Sequence, residues 1–383
     1  MPALVLVNNK RVMNKVFLGS SNIITSLGWN TRENLESVLS GARGINITSN
    51  RQLSESDFPA SLIDLDGIEN RFADISSDGS YTRFEKLAIL SIHDALLEAG
   101  LQSDDSETLF ILCSTKGNIE LLGDLNGFDK ERLLLWKSAE LIAHFFGLKK
   151  QPLVISNACI SGVVGMIMAM RLIRSGKYKR ALVTGADVLS KFIVSGFQSF
   201  QSLSEQACRP FDRSRDGLSL GEGVGTLVIS KEHGDVELVE GAISNDANHI
   251  SGPSRTGEGL LVSIQNTLQK NTVDFISAHG TATPYNDDME SIAFSRAGLE
   301  QVAANSLKGY FGHTLGAAGI IESIINIEAM KQDTIVGTMG LSAIGLARNM
   351  NVVDQTRHAE YNTILKTASG FGGCNASVLI RKS

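Results

Sequence analysis

The chain has 383 residues, 43% of them hydrophobic, and carries a formal net charge of −6. A chain of this length and composition can bury a large core, in one two-part domain or in two domains. The acidic balance argues against a nucleic-acid-binding protein, whose surface would be basic. The longest apolar runs are much shorter than the roughly 20 residues that cross a bilayer, so we expect no membrane span.

The N-terminus and the cysteines indicate a protein of the cytoplasm. No basic start followed by a long apolar stretch and a small-residue cleavage site is present, so we expect no signal peptide. The cysteines are scattered and form no CxxC pair: Cys113, Cys159, Cys208 and Cys374. This pattern favours a reducing compartment over a disulfide framework, and it predicts no metal site.

The order of apolar patterns along the chain predicts a mixed α/β fold. Short apolar runs predict buried strands at 15–21, 108–114, 152–158, 180–186, 225–231, 273–279 and 362–370. Amphipathic patterns predict helices at 31–41, 83–100, 162–176 and 316–331, of which the first two end at Gly41 and Gly100. Alternating strands and helices imply largely parallel sheets covered on both faces. The charged stretch 230–240 is the best candidate boundary, which predicts two halves that share one core, 1–232 and 233–383.

Cys159 lies between a predicted strand and the predicted helix 162–176. The unpaired N–H groups and the positive dipole end of a helix N-terminus favour a thiolate over a thiol. A buried structural cysteine is the simpler interpretation of this residue alone. The G-x-S-x-G pattern of serine hydrolases is absent, so Cys159 is a candidate nucleophile that needs support from elsewhere in the chain.

Two histidines lie in loops that are rich in small residues. His279 ends a predicted strand and opens the loop "HGTATP", the kind of position where α/β proteins collect ligand-binding residues. Lys308 and His313 lie in "SLKGYFGHTLGAAG", which leads into the predicted helix that carries Glu322. A surface histidine and a packed helix start with a solvated lysine are the simpler alternatives.

A third loop rich in glycine, "SGFGGCNAS", surrounds Phe371. Glycines there allow positive φ angles and a close approach of backbone N–H groups to a ligand. The spacing is not G-x-G-x-x-G, so we expect no dinucleotide site.

Together these motifs identify a family. "NACISG", "HGTATP", "KGYFGHTLGAAG", "GFGGCNAS" and the segment 208–229 occur in the order found in the β-ketoacyl-acyl-carrier-protein synthases, and the resemblance covers essentially the whole length. It implies a thiolase-like five-layer αβαβα sandwich of two duplicated halves, usually dimeric. It also implies an acyltransferase that condenses an acyl thioester with a malonyl thioester with loss of CO₂. Substrates would ride on the phosphopantetheine arm of an acyl carrier protein, with no separate cofactor.

The resemblance also implies roles for the residues of the site. Cys159 would be the nucleophile, and His279 and His313 would stabilise the enolate as neutral hydrogen-bond donors. Lys308 would hold His313 in place and favour its neutral form, and Glu322 matches the acidic residue behind the site. The backbone N–H groups of Cys159 and Phe371 would form an oxyanion hole.

Five positions would bind substrate. Thr281 and Thr283 would bind the pantetheine arm, Phe371 would gate the site, and Gly372 belongs to the same loop. The segment 112–122 replaces a Gly/Ser-rich segment of the family, and Lys116 would then line the acyl pocket and disfavour a long saturated chain. The alternative is that Lys116 points into solvent or across a dimer. The "HGTATPYND" wording is similar to condensing enzymes of aryl-polyene pathways.

The basic run 171–180 is a candidate docking surface for an acidic carrier protein, and a plain solvated surface is the alternative.

Three other functions compete with the condensing enzyme. A thiolase would use a second cysteine near the C-terminus, where Cys374 lies, but two His motifs are present. A silent chain-length-determining partner subunit would lack the nucleophile, and a cysteine hydrolase would need an orienting carboxylate motif that we do not find.

Overall fold

The computed structural model describes residues 14–101, 107–232 and 234–383. The first half contains, in chain order, β1 (Phe17–Ile24), α1 (Thr31–Leu39), β2 (Asn46–Thr48), β3 (Phe58–Ser61), α2 (Leu65–Ala73), α3 (Arg83–Ala99), β4 (Thr108–Cys113), α4 (Leu135–Phe145), β5 (Leu153–Ile155), α5 (Ser161–Arg174), β6 (Arg180–Asp187), α6 (Lys191–Ser199), β7 (Leu220–Gly221) and β8 (Gly223–Ser230). The second half contains β9 (Val236–Asn245), α7 (Glu258–Leu268), β10 (Phe275–Ser277), α8 (Pro284–Arg296), β11 (Ala303–Asn305), α9 (Lys308–Phe311), α10 (Ala318–Lys331), β12 (Thr334–Ile335), β13 (Arg357–His358), β14 (Thr363–Gly370) and β15 (Cys374–Lys382). Short 3₁₀ turns lie at Ile119–Leu122, Lys130–Leu133 and Leu315–Ala317.

The main sheet repeats one topology twice. Its strand order is β11-β10-β14-β15-β9-β1-β8-β6-β4-β5. We number the five strands of each half in chain order and read them from the outer edge of the sheet to its centre. Both halves then have the order third, second, fourth, fifth, first, with the same parallel and antiparallel pairings. The halves join where β1 pairs with β9 at Phe17↔Glu237 and Leu18↔Val236. The predicted duplication is therefore confirmed.

Helices cover both faces of each half-sheet, which gives five layers. The helices α2, α3 and α4 pack on the outer face of the first half, and α7 and α8 pack on that of the second. The helices α5 and α10 lie between the two half-sheets in the largest apolar cluster. Residues 318–327 of α10 are buried on every side, as expected for a helix that is enclosed by protein all round.

The local sequence explains how the predicted helices end. Thr82 and Glu85 form a capping box at the start of α3, and Gly100 closes this helix with a left-handed φ of 62°.

Strand β9 was not predicted, because its charged first residues in 230–240 resembled a boundary. The division at 232/233 stays a prediction; residues 1–13 and residue 233 lie outside the described part of the chain. No helix in the described ranges is long and apolar enough to cross a membrane.

The close contact of the two central helices depends on glycine. A Cβ added to Gly162 of α5 would lie 2.9 Å from the carbonyl oxygen of Gly316 and 3.2 Å from the backbone nitrogen of Ile320. Because both are backbone atoms, a side chain at residue 162 would push α5 and α10 apart.

We therefore expect Gly162→Ala to lower the free energy of unfolding by about 1–3 kcal/mol, the usual range for overpacking. Gly196→Ala is the matched control, because no atom lies within 4 Å of a Cβ added at this position of α6. The control should stabilise the protein by up to about 1 kcal/mol through helix propensity. Urea unfolding measures both; equal stability of Gly162→Ala and the parent would contradict the packing argument.

Candidate active site

Cys159 lies in a tight turn between β5 and α5. Ala158 has a φ of 45°, a left-handed conformation that is uncommon for a residue with a side chain. The Ser161 hydroxyl fixes this turn, because it accepts a hydrogen bond from the Asn157 amide at 2.8 Å and donates one to the Ala158 carbonyl at 2.7 Å. Cys159 is thus held two residues ahead of α5, and the residue is only 8% exposed.

His279 lies directly after β10, on a loop that is fixed by buried carboxylates of α8. Glu290 accepts hydrogen bonds from the amides of His279 at 2.8 Å and Gly280 at 2.7 Å. Asp287 accepts one from the Thr281 amide at 3.0 Å. Burial, and then the neighbouring Asp287, raises the pKa of Glu290 to about 7.

His313 lies between α9 and α10 and is anchored by the first half of the chain. Its amide donates to the Ser219 carbonyl at 2.7 Å, and its carbonyl accepts from the Gly221 amide at 3.1 Å. Gly221 must be a glycine here, since a Cβ would lie 2.0 Å from the Phe311 carbonyl oxygen. The Nδ1 atom of His313 is buried and has no hydrogen-bond partner among the described residues.

The structure brings the three candidate groups together. The Cys159 sulfur and one ring nitrogen from each of His279 and His313 all lie within 4.8 Å of one another. The two imidazole rings are 5.2 Å apart between centroids and meet edge to face at 81°. One thioester can therefore contact all three groups.

Burial sets the charge state of this trio. It raises the pKa of the Cys159 thiol to about 12, although the positive Lys308 lowers it. The expectation of a stabilised thiolate is therefore wrong for the resting site, where the sulfur carries its proton. Burial, followed by the charge of Lys308, lowers the pKa of both His279 and His313 well below the usual value. Both imidazoles are neutral at neutral pH.

Lys308 and Glu322 lie behind the histidines as a buried ion pair, with Nζ and Oε1 2.6 Å apart. Lys308 was expected to hold His313, but its ammonium instead lies 2.5 Å from the His279 carbonyl oxygen and 3.5 Å from the His279 Nδ1. An ammonium group only donates, so Nδ1 of His279 accepts and the ring proton is on Nε2.

A cavity of about 510 Å³ contains the trio in its lining. Thr281, Thr283 and Phe371 also line it, and the two threonine hydroxyls are 2.8 Å apart. The Phe371 ring packs against two further aromatic rings of the lining, at 5.6 Å from Phe197 and 5.3 Å from Phe200 between centroids. A Cβ on Gly370 would lie 3.1 Å from the Cys159 nitrogen, so the Phe371 loop borders the Cys159 backbone.

Two predicted substrate-binding residues do not line this cavity. Lys116 is exposed, because Asp187 accepts hydrogen bonds from the backbone amides of Thr115 and Lys116 and leaves the Lys116 side chain on the surface. The open alternative, that Lys116 faces solvent or a partner, agrees with this exposure. Gly372 is also exposed, and its amide donates to the Ile250 carbonyl at 2.7 Å.

The basic run 171–180 starts near the far end of α5 from Cys159. A helix of 14 residues is roughly 21 Å long, so this run does not border the cavity. Arg174 donates to the Val239 carbonyl at 2.6 Å and lies 3.6 Å from Glu240. Arg174 is thus held by contacts within the chain, and docking of a carrier protein on this run stays a prediction. Arg255, by contrast, does line the cavity.

Sequence reasoning missed three buried charged groups. Asp187 accepts from the Ser114 hydroxyl at 2.9 Å and the Gly316 amide at 2.7 Å, and so ties the loop after β4 to the start of α10. Glu290 fixes the His279 loop, and Lys366 makes a second ion pair with Glu322 at 2.5 Å.

A thiol and two imidazoles are ligand types that zinc accepts, but the two lysine charges behind them disfavour a divalent cation.

Comparison with known proteins identifies the family. Residues 22–234 match the sequence model "Beta-ketoacyl synthase, N-terminal domain", and residues 236–342 match "Beta-ketoacyl synthase, C-terminal domain". The chain therefore belongs to the β-ketoacyl synthases, as its motifs predicted.

Individual relatives agree with this assignment. The 3-oxoacyl-[acyl-carrier-protein] synthase 2 of Coxiella burnetii is 29% identical over 261 residues, which are 62% of this chain and 63% of that relative. A solved β-ketoacyl synthase from Burkholderia phymatum is 25% identical with a TM-score of 0.86, and the match covers 97% of this chain and 100% of that one. The ishigamide ketosynthase/chain length factor shares the fold at 24% identity, with a TM-score of 0.87 and the same coverage.

The raised pKa of Cys159 predicts how the thiol reacts with iodoacetamide. Only the thiolate is alkylated, so the rate should rise about tenfold per pH unit from about pH 7 to 10, without a plateau. Mass spectrometry of the Cys159 peptide measures the rate, and glutathione serves as a control thiol that reaches its plateau in this range. A plateau near neutral pH at Cys159 would show that the resting sulfur is ionised.

Proposed function

We propose that this chain is a β-ketoacyl-acyl-carrier-protein synthase, an acyltransferase of fatty-acid or polyketide synthesis. It would join an acyl thioester to a malonyl thioester with loss of CO₂. The observation that carries the proposal is the meeting of one thiol and two neutral imidazoles, all three buried, within 4.8 Å in the lining of one cavity. The family to which the chain belongs and the name of its Coxiella burnetii relative support the same reaction.

In the first half-reaction the Cys159 sulfur attacks the carbonyl carbon of the acyl thioester. Since the thiol carries its proton and Nε2 of His279 already carries one, the thiol proton passes to the neutral imidazole of His313 as the new C–S bond forms. The imidazole then protonates the departing carrier thiol, so the proton balance closes. The N–H groups of Cys159 and Phe371 would hydrogen-bond the oxyanion, and each such donor contributes about 2.7–4 kcal/mol.

In the second half-reaction the malonyl thioester loses CO₂, and charge collects on its thioester oxygen. The Nε2–H of His279 and an N–H of His313 donate hydrogen bonds to this oxygen. The enolate carbon attacks the acyl carbon on Cys159, the C–C bond forms and the sulfur leaves, regaining a proton from solvent. Lys308 and Glu322 position His279 from behind.

The substrates would arrive on an acyl carrier protein, whose pantetheine arm Thr281 and Thr283 would bind. No separate cofactor is needed for this chemistry, and we propose the cytoplasm as the place of reaction. The exposed Lys116 no longer supports a preference for short or aryl-ended acyl groups.

An acylation assay tests the proposal. Incubation with an acyl-carrier thioester should add one acyl group to the chain by intact mass, and malonyl carrier should then release CO₂ and a 3-ketoacyl product. Cys159→Ala should abolish the acylation and the 3-ketoacyl product, whereas Cys374→Ala should retain them. Absence of acylation in the parent chain would point to a silent partner subunit, and turnover of coenzyme A esters without a malonyl group would point to a thiolase.

We also propose that the chain works as a dimer, with a second copy or with a related subunit, joined along β5. Among the described residues β5 pairs only with β4, so it is a free edge of the sheet. The opposite edge, β11, is covered, because Ala304 exchanges backbone hydrogen bonds of 2.9 Å with Asn351 and Val353. An unpaired, half-buried apolar edge invites a further strand.

The register of β5 allows a sharp test of this edge. The Ile155 carbonyl accepts from the Ser114 amide, so the N–H of the preceding residue, Val154, points away from β4. Val154→Pro should therefore spare the β4 ladder but weaken dimerisation at least tenfold in light scattering. Val154→Thr keeps the N–H and should remain dimeric. A proline variant that dimerises like the parent would exclude β5 as the interface.

A further inference from the structure

Two lysines share the buried carboxylate of Glu322. Lys308 Nζ lies 2.6 Å from Oε1, and Lys366 Nζ lies 2.5 Å from Oε2. All three side chains are at most 1% exposed. One lysine is enough to neutralise one buried carboxylate, so the second ammonium adds desolvation cost without balancing this charge. The contacts of the second ammonium group with the backbone explain its presence.

The two ammonium groups hold the backbone that leads to His279. Lys366 donates to the carbonyls of Ser277 at 3.3 Å and Ala278 at 3.2 Å. Lys308 donates to the carbonyl of His279, and Glu290 accepts from the amides on the other side of the same loop. Cations on the carbonyl side and a carboxylate on the N–H side thus fix this turn in one orientation.

The positive charge of Lys366 also acts on both imidazoles. It contributes to the lowering of the pKa of His279 and His313, after burial and Lys308. The titratable and charged groups that face these rings from the surrounding elements are Cys159, Asp287, Glu290, Lys308, Glu322 and Lys366. Burial lowers the pKa of Lys366, while Glu322 raises it.

We propose that Lys366 is a positioning residue of the condensation reaction, which fixes the strand end before His279 through the carbonyls of Ser277 and Ala278. This inference rests on the proposed function. It adds a second cation to the pair of Lys308 and Glu322, placed on β14 rather than on the loop of His313. Lys366 reaches His279 through the backbone, not through the substrate.

Two substitutions separate the contribution of contact from that of charge. Lys366→Met removes both, and Lys366→Gln removes the charge but keeps an N–H donor for the Ser277 and Ala278 carbonyls. Either variant leaves Lys308 and Glu322 as a balanced pair, so we expect both to fold. Lys382→Met, which removes the ion pair of Lys382 and Asp333 on the neighbouring β15, is the matched control.

Histidine NMR titrations and the pH profile of CO₂ release form the test. Without the charge, the pKa values of His279 and His313 should rise by about one unit, so the acid limb of the profile should move to higher pH in both variants. In addition, kcat should fall about tenfold in Lys366→Met and less in Lys366→Gln, with an unchanged KM for malonyl carrier. The control should show neither change.

Two results would overturn the role of Lys366: imidazole titrations that do not move in either variant, or a shift of equal size in Lys382→Met. The NMR titration needs no turnover. If the parent chain fails to condense substrates, the proposed function falls while the electrostatic effect of Lys366 on the two histidines is still measured.

Discussion

The close contact between α5 and α10 is the constraint on which the site depends. Gly162 allows the first turn of α5 to approach the Gly316 backbone. Cys159 comes just before α5 and His313 just before the turn that leads into α10. Because the helix starts meet, a thiol from one half of the chain and an imidazole from the other lie within 4.8 Å. The site therefore forms by packing of the two halves.

Burial shifts the pKa of the Cys159 thiol and the pKa values of the two imidazoles in opposite directions. It raises the pKa of Cys159 and lowers those of the two histidines, so the resting trio is uncharged. The charges lie one shell further back, on Lys308, Glu322 and Lys366. In the proposed reaction they would orient neutral donors toward an oxygen atom that becomes negative only in the transition state.

The sequence predicted seven strands of the main sheet and four of its helices but not β15, α4 or α7, and the motifs located the residues of the trio. The sequence did not predict the features that depend on tertiary contacts. Strand β9 starts with alternating charges and was missed, although it pairs along its length with β15. The position of Cys159 ahead of a helix suggested a thiolate, because a sequence shows the helix start but not the depth of burial.

Lys366 was missed for a related reason: one lysine in an apolar run resembles an interruption of a strand, and its carboxylate partner lies 44 residues away. The position of Lys116 is also set by contacts that a single sequence does not show. An ungapped alignment placed its side chain at a pocket, and in the single chain Asp187 binds its backbone amide while the side chain is exposed. Long-range contacts of charged side chains leave no periodic signal along a single chain.

The duplicated topology explains why the functional groups come from these particular loops. Cys159 follows β5, the third strand of its half, and precedes a central helix; His313 follows β11 and precedes the other. His279 follows the second strand of its half, β10, as Thr115 follows β4. The groups thus lie at equivalent positions of two copies, at the carboxyl ends of parallel strands, where α/β sheets leave a crevice. The two copies join at β1 and β9 and share the central layer of α5 and α10, so the loops that precede these two helices bring residues of both halves to one site.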